Sequence, residues 1–579
     1  MKRTLISALI ITAIAALPLH AQAADFETAA AAVKNMGVGW NLGNTLDANS
    51  QKVTDLTDPS YWGQQDLSSE TCWGQFVTKP DVMKMLKDAG FGAIRVPVTW
   101  YNHMDAQGNV DPAWMARVHE VVDYVINQGL YCIVNVHHDT GADGSGFTSW
   151  LKADETYYAQ NRERFEGLWR QIAEEFKDYG QRLLFESYNE MLDTYNSWCY
   201  ATFASPQKYD EKAATSAYNA INAYAQSFVN TVRATGGNNA QRNLVVNTYC
   251  ASNGYGNWNK HLPEPLINLK KPEGETDHIA FEVHAYPSIA NSNNTDRPIA
   301  DIRNEVDGMI SLLKTHLVSK GVPVIFGEWG TSNVDSSEPD YVKRPALMKQ
   351  FCQYFIRQCK ANDMGTFYWM GITDGAARIF PVFSQADLAL WILQAYHGDD
   401  YNPVLLQRSD LKNTCIACTV DYNQQWSELN LISDSFTSAD YYQLVLELEE
   451  APATNLLQIK VYGKSESYTT ITAATTTITF TAAMGTISRI TLQCMKQSGS
   501  AKVKSVWLVK KGGERAPSDP SVFWGCTMSN IHITGPTAVS ALEADAPAAT
   551  AIYDLSGRQL QSTPRRGLFI QGGKKMFVK

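Results

Sequence analysis

Polar, charged and aromatic side chains stand inside or directly after several strongly apolar segments of this sequence. A charge in such a place costs several kcal/mol unless it is paired or hydrogen-bonded. Packing alone does not account for so many of them, and we interpret them as candidate functional residues. They are Arg95, His137, His138, Asn189, Glu190, His284, Tyr286, Glu328 and Trp369.

Glu190 and Glu328 each carry a carboxyl group, and two carboxyl groups are needed to break a glycosidic bond. One carboxyl group protonates the leaving oxygen, while a second attacks the anomeric carbon or activates a water molecule. A separation of about 5–5.5 Å gives retention of configuration through a covalent intermediate. The two tasks require different protonation states. We predict that Glu190 is the general acid/base and that Glu328 is the nucleophile.

The neighbouring candidates have types that suit supporting roles. Arg95 is expected to hold Glu328 anionic by charge pairing. Asn189, beside the acid, is expected to bind a sugar hydroxyl next to the scissile bond. His284 and Tyr286 are expected to orient the two carboxyl groups, and His137, at the end of the third predicted strand, is a further candidate for this site.

Four further residues are candidate substrate contacts. Trp369 offers a flat ring on which a sugar can stack, and Asn44 is assigned to a sugar contact in preference to a turn. His138 fits a sugar contact or a loop cap equally well, and Trp40 fits a subsite floor or the hydrophobic core equally well. Adjacent strand residues such as His137 and His138 point to opposite faces. We therefore expect no metal site and no cofactor.

Eight short apolar segments alternate with amphipathic helical patterns between about residues 25 and 400. The predicted strands are 38–43, 93–99, 131–137, 183–189, 243–249, 279–286, 323–328 and 365–370, and the clearest predicted helices are 112–128, 164–179, 213–234, 302–319 and 346–362. The strands are nearly continuous in apolarity, which is typical of strands buried on both faces.

This alternation predicts an α/β fold, a (β/α)8 TIM barrel, for residues 24–400. Active sites of such barrels form at the carboxyl ends of the strands, where the candidate residues stand. Glu190 directly follows the fourth predicted strand and Glu328 ends the seventh, so they are expected to face each other across the barrel. A doubly wound open sheet is the competing fold, but the Gly43-Asn44-Thr45-Leu46 segment after the first strand is not a glycine-rich phosphate-binding turn.

The chain begins with features of an exported protein. Lys2 and Arg3 precede the apolar run 5–19 and an Ala21-Gln22-Ala23 cleavage pattern, which predicts a signal peptide over residues 1–23. No later apolar run approaches the length of a membrane span. The net charge of −10 offers no basic surface for nucleic acid. We therefore expect a secreted or cell-surface protein whose partner is a polysaccharide.

The sequence changes character after residue 400. Residues 405–535 show period-2 alternation with many Thr, Ser, Val and Ile, which predicts an antiparallel β-sandwich, either a carbohydrate-binding or a spacer domain. We expect Trp426, Trp507 and Trp524 to fill its core in preference to binding glycan. Residues 536–579 are predicted to be a linker and a small β module. That module resembles the C-terminal sorting modules of Bacteroidetes-type bacteria, which implies attachment to the cell surface.

Residues 33–398 resemble glycoside hydrolase family 5, the cellulase family. The matching motifs are Gly39-Trp40-Asn41-Leu42-Gly43-Asn44-Thr45-Leu46-Asp47, Ile94-Arg95-Val96-Pro97-Val98-Thr99-Trp100, Asn135-Val136-His137-His138, Asn189-Glu190, His284-Ala285-Tyr286, Gly327-Glu328-Trp329-Gly330 and Trp369. The resemblance implies a retaining, metal-free mechanism with the roles given above. Two departures, Met191 where Pro is usual and Trp329 where Phe is frequent, are expected to bear on subsite shape.

The resulting expectation is an endo-β-1,4-glucanase that acts on cellulose-like, mixed-linkage or xyloglucan chains. A β-mannanase is the alternative within the same family, because the same constellation serves both. A catalytically inactive glycan-binding protein is the alternative from another functional class. The presence of both carboxyl groups favours the enzymes.

Overall fold

The computed structural model describes residues 25–49, 66–143, 149–196, 209–274, 277–334, 338–432 and 435–534, together with four short strands between residues 552 and 578. The predicted signal peptide and the first part of the predicted linker, residues 536–547, lie outside the described residues. Within the described residues no helix is both long and apolar enough to span a bilayer.

Eight parallel strands close into a barrel in sequence order. They are β1 (Val38–Asn41), β2 (Ala93–Val96), β3 (Tyr131–Asn135), β4 (Leu183–Glu186), β5 (Leu244–Asn247), β6 (Ile279–Ala285), β7 (Val324–Trp329) and β8 (Gly365–Tyr368). The predicted barrel is confirmed. Most predicted strands run two or three residues too far, because the chain leaves the ladder at its carboxyl end to form the loops above the barrel.

Helices surround the barrel. They are α1 (Ala29–Asn35), α2 (Pro80–Ala89), α3 (Pro112–Asn127), α4 (Glu155–Glu175), α5 (Glu211–Ala234), α6 (Glu264–Asn268), α7 (Ile299–His316), α8 (Asp340–Lys343), α9 (Pro345–Ala361), α10 (Ala376–Ile379) and α11 (Ala386–His397). α4 illustrates how the sequence forms these helices. Its buried residues Phe165, Leu168, Trp169 and Ile172 lie on one face, and the Asp154 side chain caps its first turn. Trp169 is a core residue, as predicted.

The barrel interior is filled by small and branched side chains near the amino ends of the strands. Ile133, Leu184, Val245 and Ile325 belong to one buried cluster with residues of α1, which packs against that end of the barrel. Gly39 is required there, since a Cβ would lie 2.3 Å from the ring of Phe367. The filled lower end leaves the carboxyl end as the place where polar side chains can gather.

The C-terminal region is all β. The five-stranded antiparallel sheet runs in the order β14-β13-β17-β10-β20 and the larger sheet in the order β15-β12-β18-β9-β21, with β19 beside β18. The strands are β9 (Cys415–Tyr422), β10 (Glu428–Asn430), β11 (Phe436–Thr437), β12 (Tyr441–Leu448), β13 (Leu457–Tyr462), β14 (Glu466–Thr470), β15 (Thr475–Thr479), β16 (Thr486–Ile487), β17 (Arg489–Cys494), β18 (Gly499–Lys510), β19 (Arg515–Pro517), β20 (Ser521–Trp524) and β21 (Cys526–Thr534). One core lies between the two large sheets.

Two expectations for this region differ from the structure. Trp426 and Trp524 are about half exposed, so the prediction that they fill the core is wrong. Trp524 lies on the edge strand β20, which carries a bulge, and it pairs with Glu428 on the side of the sheet away from the core. Trp507, on the central strand β18, is half-buried.

The sandwich packs against the barrel through a small apolar cluster that includes Phe380, Leu411 and Ile416. The Arg408 guanidinium lies 3.8 Å from the centre of the Phe380 ring and forms an ion pair with Asp519 at 2.7 Å. Near the C-terminus, β22 (Ile552–Tyr553), β23 (Gln559–Leu560), β24 (Gly567–Gln571) and β25 (Lys574–Val578) form a separate antiparallel sheet. Its identification as a sorting module stays a prediction.

Candidate active site

Glu190 and Glu328 meet at the carboxyl end of the barrel. Glu328 lies on β7, and Glu190 follows β4 by four residues. Carboxylate oxygens of the two residues and a ring nitrogen of His284 all lie within 4.8 Å of one another. Both side chains border open space only slightly, since 20% of the Glu190 side chain and 6% of the Glu328 side chain are exposed. The structure thus brings the two predicted carboxyl groups together, and their roles stay a prediction.

Both oxygens of Glu328 accept hydrogen bonds. Arg95 Nη1 donates to Oε1 at 2.8 Å, and the Tyr286 hydroxyl donates to Oε2 at 2.6 Å. These two hydrogen bonds fix the position of the Glu328 carboxyl group. Burial and the charge of Glu328 raise the pKa of Tyr286 well above its ordinary value, so this hydroxyl keeps its proton and remains a donor.

Arg95 is the hub beneath the site. Its guanidinium forms two bonds to Glu186, at 2.6 and 2.8 Å, in addition to the bond to Glu328. It also donates to the side-chain oxygens of Asn41 and Asn189. Because the oxygen of Asn189 accepts from Arg95, its NH2 group is the end left to donate to a sugar hydroxyl. Glu186, four residues before the acid, is thus a supporting residue of the site.

Glu190 accepts a hydrogen bond from His284 Nδ1 at 2.8 Å. Burial raises the pKa of Glu190, and the negative charge of Glu328 acts in the same direction, while His284 and Arg95 oppose them. Burial lowers the pKa of His284, but Glu328, Glu190 and Glu282 outweigh it and raise that pKa to about 10. The two carboxyl groups therefore stand in different environments, as an acid and a nucleophile require.

His137 lies on the other side of Glu328. Its Nε2 is 3.9 Å from the carboxylate, and its ring stacks on Trp369 with centroids 5.8 Å apart and planes 8° from parallel. Burial lowers the pKa of His137 well below its ordinary value and that of His138 to about 4, so both imidazoles are neutral near pH 7. His138 is partly exposed, at 3.8 Å from Asp47.

Two cavities in the described part of the chain lie beside the two carboxyl groups. One, of about 350 Å³, is lined by Asn44, Tyr286, Tyr341 and Trp369, among others. The second, of about 400 Å³, is lined by Glu190, His284, Tyr286, Tyr255 and Trp258, among others. Tyr286, which donates to Glu328, borders both cavities, and we call the two cavities together the cleft.

Of the other candidate substrate contacts, one lines the cleft and another is buried in the core. Asn44 lines the cleft with φ of +55°, a left-handed conformation that Asn tolerates, and its N–H donates to Asp47. Trp40 is fully buried, so its assignment as a substrate contact is wrong. It points outward from β1 into the packing between strands and helices, because strand residues alternate and its neighbour Asn41 points inward. Trp329 is likewise buried and stacks on Phe355, so this departure bears on core packing.

Sequence reasoning missed Glu282, which lies on β6. Its Oε1 is 3.5 Å from Arg95 Nε and 3.3 Å from His284 Nε2. Gly327 leaves the space for it, since a Cβ there would lie 1.5 Å from this oxygen. Burial and the charge of Glu186 raise the pKa of Glu282 to about 8. The available signal was a charged residue inside an apolar strand, two positions before His284 and therefore on the same face.

Replacing Glu282 with glutamine should change how stability depends on pH. The folded protein holds the Glu282 proton more tightly than an unfolded chain, where the pKa is near 4.5. Its stabilising contribution is therefore complete below that value and is lost as pH rises through about 8. Glutamine cannot ionise, so the melting temperature of Glu282→Gln should rise relative to wild type between pH 5 and pH 9. Thermal melting across this range tests it, and a constant difference would contradict it.

Among the residues that the structure describes, acidic and histidine side chains gather in two groups that a metal ion could span. One is Asp47 with His137 and His138, and the other is Glu190 with His284 and Glu328. In the second group His284 Nδ1 donates to Glu190, and Glu328 is bonded to Arg95 and Tyr286. These hydrogen bonds supply protein partners for the oxygens of both carboxyl groups. That the protein needs no metal or cofactor stays a prediction.

Known proteins resemble this chain over its barrel. A family model described as cellulase (glycosyl hydrolase family 5) matches residues 46–374. Endoglucanase 1 of Ruminococcus albus is 36% identical over 372 residues, which cover 62% of this chain and 77% of that protein. Endoglucanase B of Neocallimastix patriciarum is 31% identical over 367 residues, which cover 62% of this chain and 68% of that protein.

The chain is also similar to solved structures of family 5 enzymes. A GH5-4 broad specificity endoglucanase from an uncultured bacterium is 61% identical with a TM-score of 0.60, and the match covers 64% of this chain and 96% of that one. A glycoside hydrolase family 5 enzyme from Prevotella bryantii B14, solved in complex with a xyloglucan tetradecasaccharide, is 42% identical with a TM-score of 0.54. That match covers 64% of this chain and 99% of the other.

Proposed function

The chain belongs to glycosyl hydrolase family 5 and is an endo-β-glucanase, and we propose that it is a secreted, retaining endo-β-1,4-glucanase with Glu190 as acid/base and Glu328 as nucleophile. The observation that carries the retaining mechanism is that a carboxyl oxygen of Glu190 lies within 4.8 Å of one of Glu328. Inverting enzymes need a wider gap, of about 6.5–9.5 Å, to admit a water molecule. This gap suits direct attack.

In the first step the Glu328 carboxylate attacks the anomeric carbon while Glu190 gives its proton to the departing glycosidic oxygen. The bond to the leaving sugar breaks and an ester to Glu328 forms. The raised pKa of Glu190 keeps the proton available. Arg95 and Tyr286 hold the attacking group in place, which supports the reaction by orientation.

In the second step the now ionised Glu190 removes a proton from water, and the water oxygen attacks the same carbon. The ester to Glu328 breaks, and the product sugar has the configuration of the substrate. The protonated His284 stabilises the ionised Glu190 through its 2.8 Å bond. Each residue of the pair thus performs two tasks, and no other group needs to move.

Attack within long chains is supported by the cleft on both sides of the pair. The proposed substrates are cellulose-like, mixed-linkage and xyloglucan chains. The relative of 61% identity is described as a broad specificity endoglucanase, and the Prevotella bryantii enzyme holds xyloglucan. Open cavities beside the pair are consistent with a backbone that carries side branches.

The decisive experiment incubates the protein with soluble mixed-linkage β-glucan, xyloglucan, mannan and xylan and follows products by chromatography and by proton NMR. We expect rapid loss of chain length on the β-glucans and β-anomers as the first products. First-formed α-anomers would overturn the retaining mechanism. Faster cleavage of mannan than of any glucan would replace the proposed activity with that of a β-mannanase.

Export and surface attachment are proposed on sequence grounds. The N-terminal pattern ending at Ala23 supports export, and the C-terminal resemblance to a sorting module supports attachment at the cell surface. A polymer too large to enter a cell has to be cut outside it, which agrees with an exported enzyme. N-terminal sequencing of exported protein should begin at Ala24, and a start at Met1 would contradict the signal peptide.

A further inference from the structure

The five-stranded sheet of the sandwich has one face against the core and one face turned away from it. On β13, Leu457, Ile459 and Val461 belong to the core, and the residues between them face outward. We call the outward side of strands β14, β13, β17, β10 and β20 the outer face. It is distinct from the cleft of the barrel.

The floor of the outer face is a chain of polar side chains joined to one another across three strands. The Gln458 amide donates to Gln493, and Gln493 donates to Glu428 at 2.7 Å. The Tyr462 hydroxyl donates to Glu428 at 2.8 Å. Gln458, Gln493 and Glu428 are all buried although they face away from the core. The face is therefore a rigid, recessed surface of hydrogen-bonding groups.

Exposed aromatic rings border this floor at both edges of the sheet. Tyr468 on β14 is 53% exposed, and Phe523 and Trp524 on β20 are 42% and 49% exposed. Trp524 pairs with Glu428 in the ladder, which places it on the outer face. Four strand spacings of about 4.8 Å separate the two edges, about 19 Å in all. The rings thus mark the two ends of a surface several sugar units long.

The charges on the outer face balance. Lys460 forms an ion pair with Glu466 at 3.2 Å. The Arg489 guanidinium lies 3.7 Å from the Phe523 ring centre and 5.4 Å from that of Tyr462, and Glu428 supplies the second negative charge. Two positive and two negative groups offer no net attraction to a polyanion or to an acidic membrane. A neutral ligand suits the face.

We propose that the outer face binds a neutral β-linked polysaccharide chain and keeps the enzyme on the polymer that its barrel cleaves. Pyranose rings of such chains present C–H groups on their flat sides, which pack on aromatic faces. Their hydroxyls at the edges can bond to exposed polar groups beside the rings, such as the Glu466 carboxylate, whose side chain is 48% exposed. A protein partner would instead favour an interface whose centre is apolar. That the polymer is a β-glucan rests on the proposed function.

The test uses the full chain with Glu328→Gln, so that polymer is bound but not cut, and measures retardation in gels that contain xyloglucan or mixed-linkage β-glucan. Adding Tyr468→Ala or Trp524→Ala should weaken retention about tenfold, as loss of an aromatic anchor does. Tyr442→Ala is the matched control, because Tyr442 is 50% exposed but lies on β12 of the other sheet. It should leave retention unchanged.

The same three substitutions in the active enzyme should leave the hydrolysis of short soluble oligosaccharides unchanged, since these need only the cleft. A wild-type enzyme that cuts no β-glucan would defeat the proposed function, whereas equal retention of the Tyr468→Ala, Trp524→Ala and Tyr442→Ala proteins would overturn the binding face alone. If Trp524→Ala does not fold, Tyr468→Ala decides. If the substitutions in the outer face change the sedimentation of the protein but not its retention, the outer face is a dimer contact, and this result also overturns the proposal.

Discussion

Replacing Glu328 with glutamine should lower the rate of β-glucan hydrolysis by about 10⁴-fold or more, the scale seen when a catalytic nucleophile is lost. The substitution keeps the shape of the side chain but removes the negative charge that attacks the anomeric carbon. Arg95 keeps its two bonds to Glu186, so its charge stays compensated. Steady-state rates on mixed-linkage β-glucan, together with the binding of the same polymer, measure the effect.

Binding should persist, because the cleft residues other than Glu328 are unchanged. Glu166→Gln is the matched control: Glu166 lies on α4, pairs with Arg162, and should keep the wild-type rate within a few-fold. If Glu328→Gln and the wild type were equally inactive while both bound glucan, the chain would be a glycan-binding protein. If Glu328→Gln kept most of the activity, another carboxylate would be the nucleophile.

The barrel and the meeting of its two carboxyl groups could be predicted because most strands are short apolar segments that end in a polar group. The barrel topology then brings the carboxyl ends of all strands to one rim, so sequence order alone places Glu190 opposite Glu328. Arg95 could be predicted as their partner for the same reason: an arginine inside a strand needs a carboxylate. The structure adds that its strongest contacts are to Glu186, with Glu328 as its third bond.

What could not be predicted depends on which face of a strand a residue occupies. Trp40 and Asn41 are neighbours, yet one packs outward and the other bonds to Arg95. Glu282 was missed because it stands in the middle of an apolar strand, where its pairing with Arg95 and His284 is invisible without coordinates. Trp524 was expected in the core, but it pairs with Glu428 on the side of the sheet away from the core, and the sequence does not reveal this register.

The second large effect concerns Glu190. Glu190→Ala should slow the hydrolysis of natural β-glucans by about 10²–10⁴-fold, the usual contribution of a general acid. An aryl glycoside with a strongly acidic phenol needs no proton to depart, so its first step should stay near the wild-type rate. Its second step should slow, because no base remains to activate water. We therefore expect a burst of phenol followed by slow turnover, and acceleration by azide, which attacks without a base.

The pH profile provides an independent check on Glu190. Activity needs the protonated acid, so the wild-type rate should fall as pH rises through the raised pKa of Glu190. Glu190→Ala should lose this limb with the aryl substrate. His284 keeps its proton to about pH 10 and does not produce a limb below that value. Glu282 titrates near 8, so Glu282→Gln must retain the wild-type limb if Glu190 causes it. A limb that vanishes in Glu282→Gln and persists in Glu190→Ala would move the acid role away from Glu190.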